Sequence, residues 1–292
     1  MFEQLGLIGC GLMGGSFALA LKRAGLVKRV VGYSKSPSTT ERARQLGVID
    51  VEAPSALLAV SGADIVLLAV PVAATEATFK AIRHLVRPDT LVMDVGSTKR
   101  DVVDAARRVL RENVGVFVPC HPIAGKELSG VEHADADLYT GKQVILTPIE
   151  RTQTFQLQQA VDVWTALGTQ VVKMSPQAHD AAFAAVSHLP HLLAFALINA
   201  ITGQEQGNEF MALAGPGFRD FSRIAASDPH MWRDILITNR EELLAQSQLF
   251  QQQLRKFEEL ISAGNGDALE ALIEQASATR ATWRISSPKP AR

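Results

Sequence analysis

The sequence predicts an α/β Rossmann-type N-terminal domain with a parallel-sheet core, followed by an all-α C-terminal domain. Three observations carry this reading. Short apolar runs alternate with helical patterns up to residue 174, as expected of strands covered on both faces. A glycine-rich turn, Gly9-Cys10-Gly11-Leu12-Met13-Gly14, joins the first strand-like run to the first helical pattern. After Met174 the strand signals cease and long apolar helical stretches take over. The expected domains are residues 1–174 and 175–292.

In chain order, strands are expected at residues 6–9, 29–33, 64–70, 90–95, 115–118, 143–146 and 170–174, all in the parallel sheet. Gly25 and Gly47 follow the intervening helices as stop signals. Ser175-Pro176 reads as an N-cap and a proline at the first helical position. The helix that follows is apolar nearly all round to about residue 202, with Pro190 expected to kink or break it. A turn at Gly215-Pro216-Gly217 precedes a short helix, and Ser227-Asp228-Pro229 caps another. Neither proline nor glycine occurs over residues 230–263, so a single helix of roughly 50 Å at 1.5 Å per residue is expected there.

Composition narrows the function. The 292 residues are 47% hydrophobic and 20% charged, with a formal net charge of -1, so cores can be buried and no general attraction to nucleic acid or anionic membranes is expected. The longest apolar runs, over residues 181–186 and 192–198, read as too short to span a bilayer. No secretory signal opens the chain, and its two cysteines, Cys10 and Cys120, lie far apart. Reduced thiols and a cytoplasmic location follow. No metal-ligand spacing is present, which leaves small molecules as the expected ligands.

The glycine turn suits a dinucleotide. Gly9, Gly11 and Gly14 let the backbone approach a pyrophosphate, while Leu12 and Met13 open the helix and offer unpaired N–H groups. At the end of the second strand, where an acid would bind the ribose hydroxyls of NAD, the chain instead carries Ser34 and Lys35. Two hydroxyls, with Ser36, and an ammonium match a 2′-phosphate, so NADP is favoured over NAD. Val70 and Pro71 end a further strand at the same carboxyl edge of the sheet; Pro71 can equally serve only to end the strand.

His121 is expected on a loop at that edge, where a neutral imidazole can accept a proton from an alcohol as hydride leaves. Ser97, in Asp94-Val95-Gly96-Ser97-Thr98-Lys99, can cap the next helix and point towards the same edge. In the second domain Asp180, Ser187 and His191 fall within one helical stripe, with His188 to one side. They either satisfy one another in a core or line a cleft between the domains. Arg219 and Arg223, four apart, form either a carboxylate-binding pair or a solvated face with Asp220. Trp232 is either core or ligand wall.

These segments together, GCGLMGGS, DVGSTK, HPIAGKELSG, HDxxxAxxSHLPH and GFRDFSRIAASDPHMW, resemble the prephenate/arogenate (cyclohexadienyl) dehydrogenase family from about residue 5 to about 240. The resemblance implies oxidative decarboxylation of prephenate or arogenate with hydride transfer to NAD(P), giving 4-hydroxyphenylpyruvate or tyrosine. It implies His121 as base, with Ser97 placing the hydroxyl and nicotinamide, and Arg223 on the ring carboxylate. It also implies His191 facing the substrate side chain, Glu127 and Asp180 as gating or orienting groups, and Arg219 as a weaker match. Ser187 and Trp232 join this substrate-binding set. A homodimer through the helical domain is implied as well, and neither a fused chorismate mutase nor a regulatory domain is expected. Two competing readings are a β-hydroxyacid dehydrogenase and a nucleotide-sensing protein without catalysis. The first would need a lysine early in the helical domain, and none occurs between Lys173 and Lys256.

Overall fold

A computed structural model describes residues 1–126 and 128–284. The first half of the chain runs β1 (Phe2–Ile8), α1 (Leu12–Arg23), β2 (Val27–Tyr33), α2 (Pro37–Gln45), β3 (Val51–Glu52), α3 (Ala56–Val60), β4 (Ile65–Leu68), α4 (Thr75–Ile82), β5 (Leu91–Asp94), α5 (Arg100–Leu110), β6 (Phe117–Val118), β7 (Cys120–Pro122), β8 (Gln143–Leu146), α6 (Thr154–Ala166) and β9 (Gln170–Lys173). Helices follow: α7 (Pro176–Phe183), a π-helical turn (Ala184–His188), α8 (Leu189–Thr202), α9 (Gly207–Ala212), α10 (Pro216–Ser222), α11 (Pro229–Thr238), α12 (Arg240–Ser262) and α13 (Gly266–Thr282).

The first six strands form a parallel sheet in the order β3-β2-β1-β4-β5-β6. This doubly wound order reverses direction between β1 and β4, and ligands bind at the carboxyl ends beside that reversal. Both faces of the sheet are covered. Phe17, Leu21, Tyr139 and Trp164 fill one side, and Phe79, Val103 and Phe117 the other. The apolar runs of β1, β4 and β5 follow from burial on both faces.

Two sequence expectations need correction here. β8 and β9 do not extend the parallel sheet; they belong to a separate three-stranded sheet, β7-β8-β9, in which β7 runs antiparallel to β8. Pro119 separates β6 from β7. It has no N–H to continue the ladder, and its carbonyl instead accepts from Thr147 N at 3.0 Å. His121 therefore lies on strand β7, opposite Ile145, rather than on a loop. Strand β3, at two residues, is too short to produce a readable alternation.

Ser175 caps α7 as expected, accepting from Ala178 N at 3.1 Å. Pro190 does not break the helix after it. Residues 176–202 are continuous over 27 residues, with the wider π turn placed just ahead of the proline, where its ring would otherwise press on the preceding turn. This helix is long and apolar enough to cross a bilayer by length and composition, so run length alone does not exclude a span. What ties it to the protein is its polar groups, which bond to other elements as described below. The expected long helix over 230–263 is also interrupted. Asn239 leaves helical geometry at φ -102, ψ 29 between α11 and α12, and its buried side chain donates to Asp180 O at 2.8 Å.

At the carboxyl end of β5, Asp94 and Lys99 form a fully buried ion pair. Backbone groups add further bonds to both. Asp94 accepts from Gly96 N at 2.8 Å and Cys120 N at 2.9 Å, and Lys99 Nζ donates to Cys120 O at 2.7 Å. Lys99→Met would leave a buried carboxylate without its counter-ion, so we expect a loss of about 3–5 kcal/mol in stability. Chemical denaturation of the purified variant checks this, and a wild-type midpoint would contradict it.

Candidate active site

The nucleotide loop is shaped by two contacts. Gly9 has φ +96, and a Cβ there would lie 2.1 Å from Ala69 O; a Cβ on Gly14 would lie 2.0 Å from Gly9 O. Both positions therefore require glycine. A Cβ on Gly11 would meet nothing within 4 Å, which leaves room in front of the uncapped N-terminus of α1. Ser34 Oγ accepts from Cys10 N at 2.8 Å, so this hydroxyl braces the loop and keeps its own O–H to donate. Lys35 is exposed beside it.

Two clefts open along this edge. One, of about 650 Å³, is lined by Gly9, Tyr33, Ser34, Lys35, Val70 and Pro71 among others. The other, of about 440 Å³, contains Gly11, Leu12, Met13, Ser97 and His121. They share Ala69, Val70 and Pro71. A row of small and apolar groups, a helix N-terminus and flanking polar groups is the chemistry a dinucleotide needs, so the residues fit a nicotinamide cofactor. The helical domain closes the second cleft with Ser227, Asp228, Met231 and Ile235.

His121 is held by its Nδ1, 2.8 Å from Nε2 of His179. His179 Nδ1 is in turn 2.7 Å from Asp180 Oδ1. Phe183 packs against both rings, with centroids 4.8 Å from His121 and 4.5 Å from His179. Burial pushes the His121 imidazole well below the usual histidine value, and His179, Lys99 and His188 add to the effect by repelling a second positive charge. His179 is lowered too, mainly by burial, against the pull of Asp180. Burial would raise Asp180, but the bonds from His179 and the backbone N–H groups of Arg100 and Lys99 hold it below the ordinary carboxylate range.

Asp180 also corrects the expected role of Ser97. No side chain of the loop caps α5. The carboxylate of Asp180, from α7, takes Lys99 N at 2.8 Å and Arg100 N at 2.9 Å, so a helix of the second domain caps a helix of the first. Ser97 itself lines the cleft with His121.

The expected stripe divides. Asp180 turns to α5, while His188, buried, lies 3.0 Å from Asn239 Nδ2, and burial draws it down to about 4. His191 bonds through Nδ1 to the carbonyl of Ser187 at 2.9 Å and stacks on Trp232 at 3.5 Å between centroids. Trp232 is buried and forms a platform for His191, and like His191 and Arg223 it lines neither of these two clefts. Ser187 contributes its backbone to this contact. Burial lowers His191, its bond to Ser187 opposes that, and the charge of nearby Arg223 lowers it further.

Arg219 lies in α10, and Arg223 follows it directly, still at helical φ -49, ψ -43, where the chain tightens into a 3-10 turn. Arg219 is three-quarters exposed and pairs with Asp220 at 3.3 Å, the solvated-face alternative. Glu127 lies outside the described residues. Sequence reasoning missed His179, Lys99, Asp94 and Asn239. The first three sit inside segments already singled out, beside the residues that were chosen; Asn239 gave no signal beyond a polar residue in a helical run.

Residues 17–173 match the family model described as prephenate dehydrogenase, nucleotide-binding domain, and residues 175–275 the one described as prephenate dehydrogenase, dimerization domain. The chain is 35% identical over 273 residues to a cyclohexadienyl dehydrogenase of Zymomonas mobilis, covering 92% of each. Its fold superposes on Aquifex aeolicus prephenate dehydrogenase in complex with hydroxyphenyl propionate and NAD+, with a TM-score of 0.90 and 37% identity over 96% of this chain and 97% of that one. It also superposes on Synechocystis arogenate dehydrogenase, with a TM-score of 0.82 and 30% identity over 97% and 100% of the two chains. The chain belongs to the prephenate dehydrogenase family.

Proposed function

We propose that this protein is an NAD(P)-dependent dehydrogenase that oxidatively decarboxylates a cyclohexadienyl acid, prephenate or arogenate, in tyrosine biosynthesis. The observation that carries this is His121, in a cleft beside the glycine loop. Its Nδ1 is occupied by His179, and its Nε2 is bonded to nothing among the described residues. Gly9, Gly11 and Gly14 would hold the pyrophosphate of the dinucleotide, whose nicotinamide would supply the hydride acceptor. His121 Nε2 takes the proton of the ring hydroxyl as the carbinol C–H electrons depart. Loss of carbon dioxide then makes the ring aromatic, so the protein chiefly has to hold and deprotonate the substrate. Ser97 orients the hydroxyl from across the cleft. Arg223 binds the ring carboxylate, and His191, fixed on Trp232, meets the substrate side chain. Glu127 belongs to the same substrate set by resemblance.

The β-hydroxyacid dehydrogenase reading is not favoured, because both family models are those of prephenate dehydrogenase and the helix over 176–202 carries no lysine. For the cofactor, Ser34 and Lys35 favour NADP: the first keeps a hydroxyl proton to donate and the second is exposed at the cleft mouth. A homodimer through the helical domain agrees with the description of the second family model. It agrees also with the apolar helix over 176–202, most of whose residues are not buried within one chain. The buried, unbridged Cys10 and Cys120 suit a cytoplasmic protein.

Initial rates with prephenate and arogenate, each with NAD and NADP, test the reading; no turnover in any pairing would sink it. Lys35→Ala should reduce the NADP-to-NAD ratio of kcat/KM by roughly tenfold, the loss of one exposed charge-assisted bond, and an unchanged ratio would remove Lys35 from phosphate recognition. His121→Asn should abolish turnover while leaving cofactor affinity within about threefold by fluorescence titration. Because burial favours neutral His121, the wild-type kcat/KM should stay level as pH falls from 7.5 through 6.5 and decline only below that. An acid limb at or above 6.5 would contradict this assignment.

A further inference from the structure

We propose that His179 and Asp180 form a proton relay behind His121, fixing which ring nitrogen of the base is free and taking up positive charge as the base is protonated. The proposal rests on the reading of His121 as the base and adds two positioning residues to it. Asp180 is ionised and accepts from the backbone of Lys99 and Arg100 as well as from His179 Nδ1. A carboxylate only accepts, so the proton of that 2.7 Å bond belongs to His179 Nδ1. His179 Nε2 is then bare and accepts, so His121 Nδ1 carries the proton of the 2.8 Å bond. His121 Nε2 is left unprotonated on the side of the cleft. The chain of bonds allows one direction only.

The surroundings show why a relay matters. His121 is faced by Lys99 and Asp94 at the end of β5, His179 and Asp180 on α7, and His188 on the π turn. Lys126, in the loop after β7, lines the same cleft and pairs with Asp135. Asp94 is engaged by Lys99 and two backbone N–H groups. Asp180 is therefore the carboxylate joined to the base by hydrogen bonds, and Phe183 covers the join from water. When the substrate O–H bond breaks and His121 Nε2–H forms, the Nδ1 proton of His121 can shift to His179 Nε2. The added charge then sits on His179 against Asp180, which stays ionised. One proton is gained by the histidine pair, and nothing in the relay is oxidised or reduced. The relay also crosses between domains, since His121 lies on β7 and its partners on α7.

The test uses the full chain labelled with ¹⁵N-histidine, with assignments from His121→Asn and His179→Gln. In the wild type at pH 7.5 we expect His121 protonated at Nδ1 and bare at Nε2; the opposite tautomer would overturn the proposal whatever the kinetics. His179→Leu removes the acceptor. It should lower kcat by roughly 100-fold, the scale of acid–base catalysis, with KM within threefold. His179→Gln keeps an acceptor and a donor but cannot carry the proton, so it should retain the tautomer and recover part of the rate. Wild-type kcat in His179→Leu would refute the relay. If His179→Leu does not fold, the wild-type tautomer decides. If the wild type turns over neither acid, the activity reading fails, and the tautomer, measured without substrate, still judges the hydrogen-bond chain.

Discussion

The buried pair of Asp94 and Lys99 is the constraint on which the catalytic edge depends. Two charges removed from water gain little net stability from each other, and well-packed apolar residues of similar volume would serve the core as well. Here the further hydrogen bonds of the pair go to backbone: Gly96 N, Cys120 N and Cys120 O. Those bonds join the loop after β5 to strand β7 across a gap that β6 and its terminating Pro119 do not bridge by a sheet ladder. Ser97 stands two residues from Lys99, and His121 follows Cys120. The ion pair therefore fixes the spacing of two cleft side chains that come from different segments.

From this fixed edge the helical domain is attached through Asp180. The first N–H groups of α5 need acceptors, and the loop before it offers none. A carboxylate arriving from α7 meets both the hydrogen bonds and the partial positive charge of the helix end. Asn239 then ties the α11–α12 junction to the backbone of Asp180 and to His188, and Arg100 reaches Glu242 at the start of α12. Polar groups on an otherwise apolar helix are thus accounted for individually. The side of the helix that meets the sheet domain is set by hydrogen bonds, whereas its apolar surface is left for other contacts.

Much of this was legible in the sequence, and the losses have specific causes. Gly9, Gly11 and Gly14 declared the nucleotide loop by their spacing, and at Gly9 and Gly14 that pattern encodes a steric need. The strands of the parallel sheet declared themselves as doubly buried apolar runs. Strands β8 and β9 looked the same but joined a different sheet, since an apolar run records burial and not partnership. Counting along an ideal helix grouped Asp180 with Ser187 and His191. It passed over His179, whose contact lies across the domain interface, and the π turn ahead of Pro190 shifts the phase of everything after it. The break at Asn239 comes from tertiary hydrogen bonds to a residue 59 positions away, which local propensity does not register. Arg219 and Arg223 satisfied the four-residue rule, but Arg219 pairs with Asp220 in solvent.

The same burial that prepares the base also sets a cost in stability. His121, His179, His188 and His191 are all held below the usual histidine value, chiefly by removal from water. In the unfolded chain each would bind a proton near pH 6.5. Between that pH and their lower folded values the unfolded state holds more protons, so stability is greatest above 6.5 and declines as pH falls, to about 4 for His188. Spreading four imidazoles along two faces of one helix and one strand concentrates this penalty at the domain interface. A neutral base at the edge of a cleft, with Lys99 buried beside it, is therefore compatible with a stable protein only where each ring has a partner: His179 for His121, Asp180 for His179, Asn239 for His188, and the Ser187 carbonyl with Trp232 for His191.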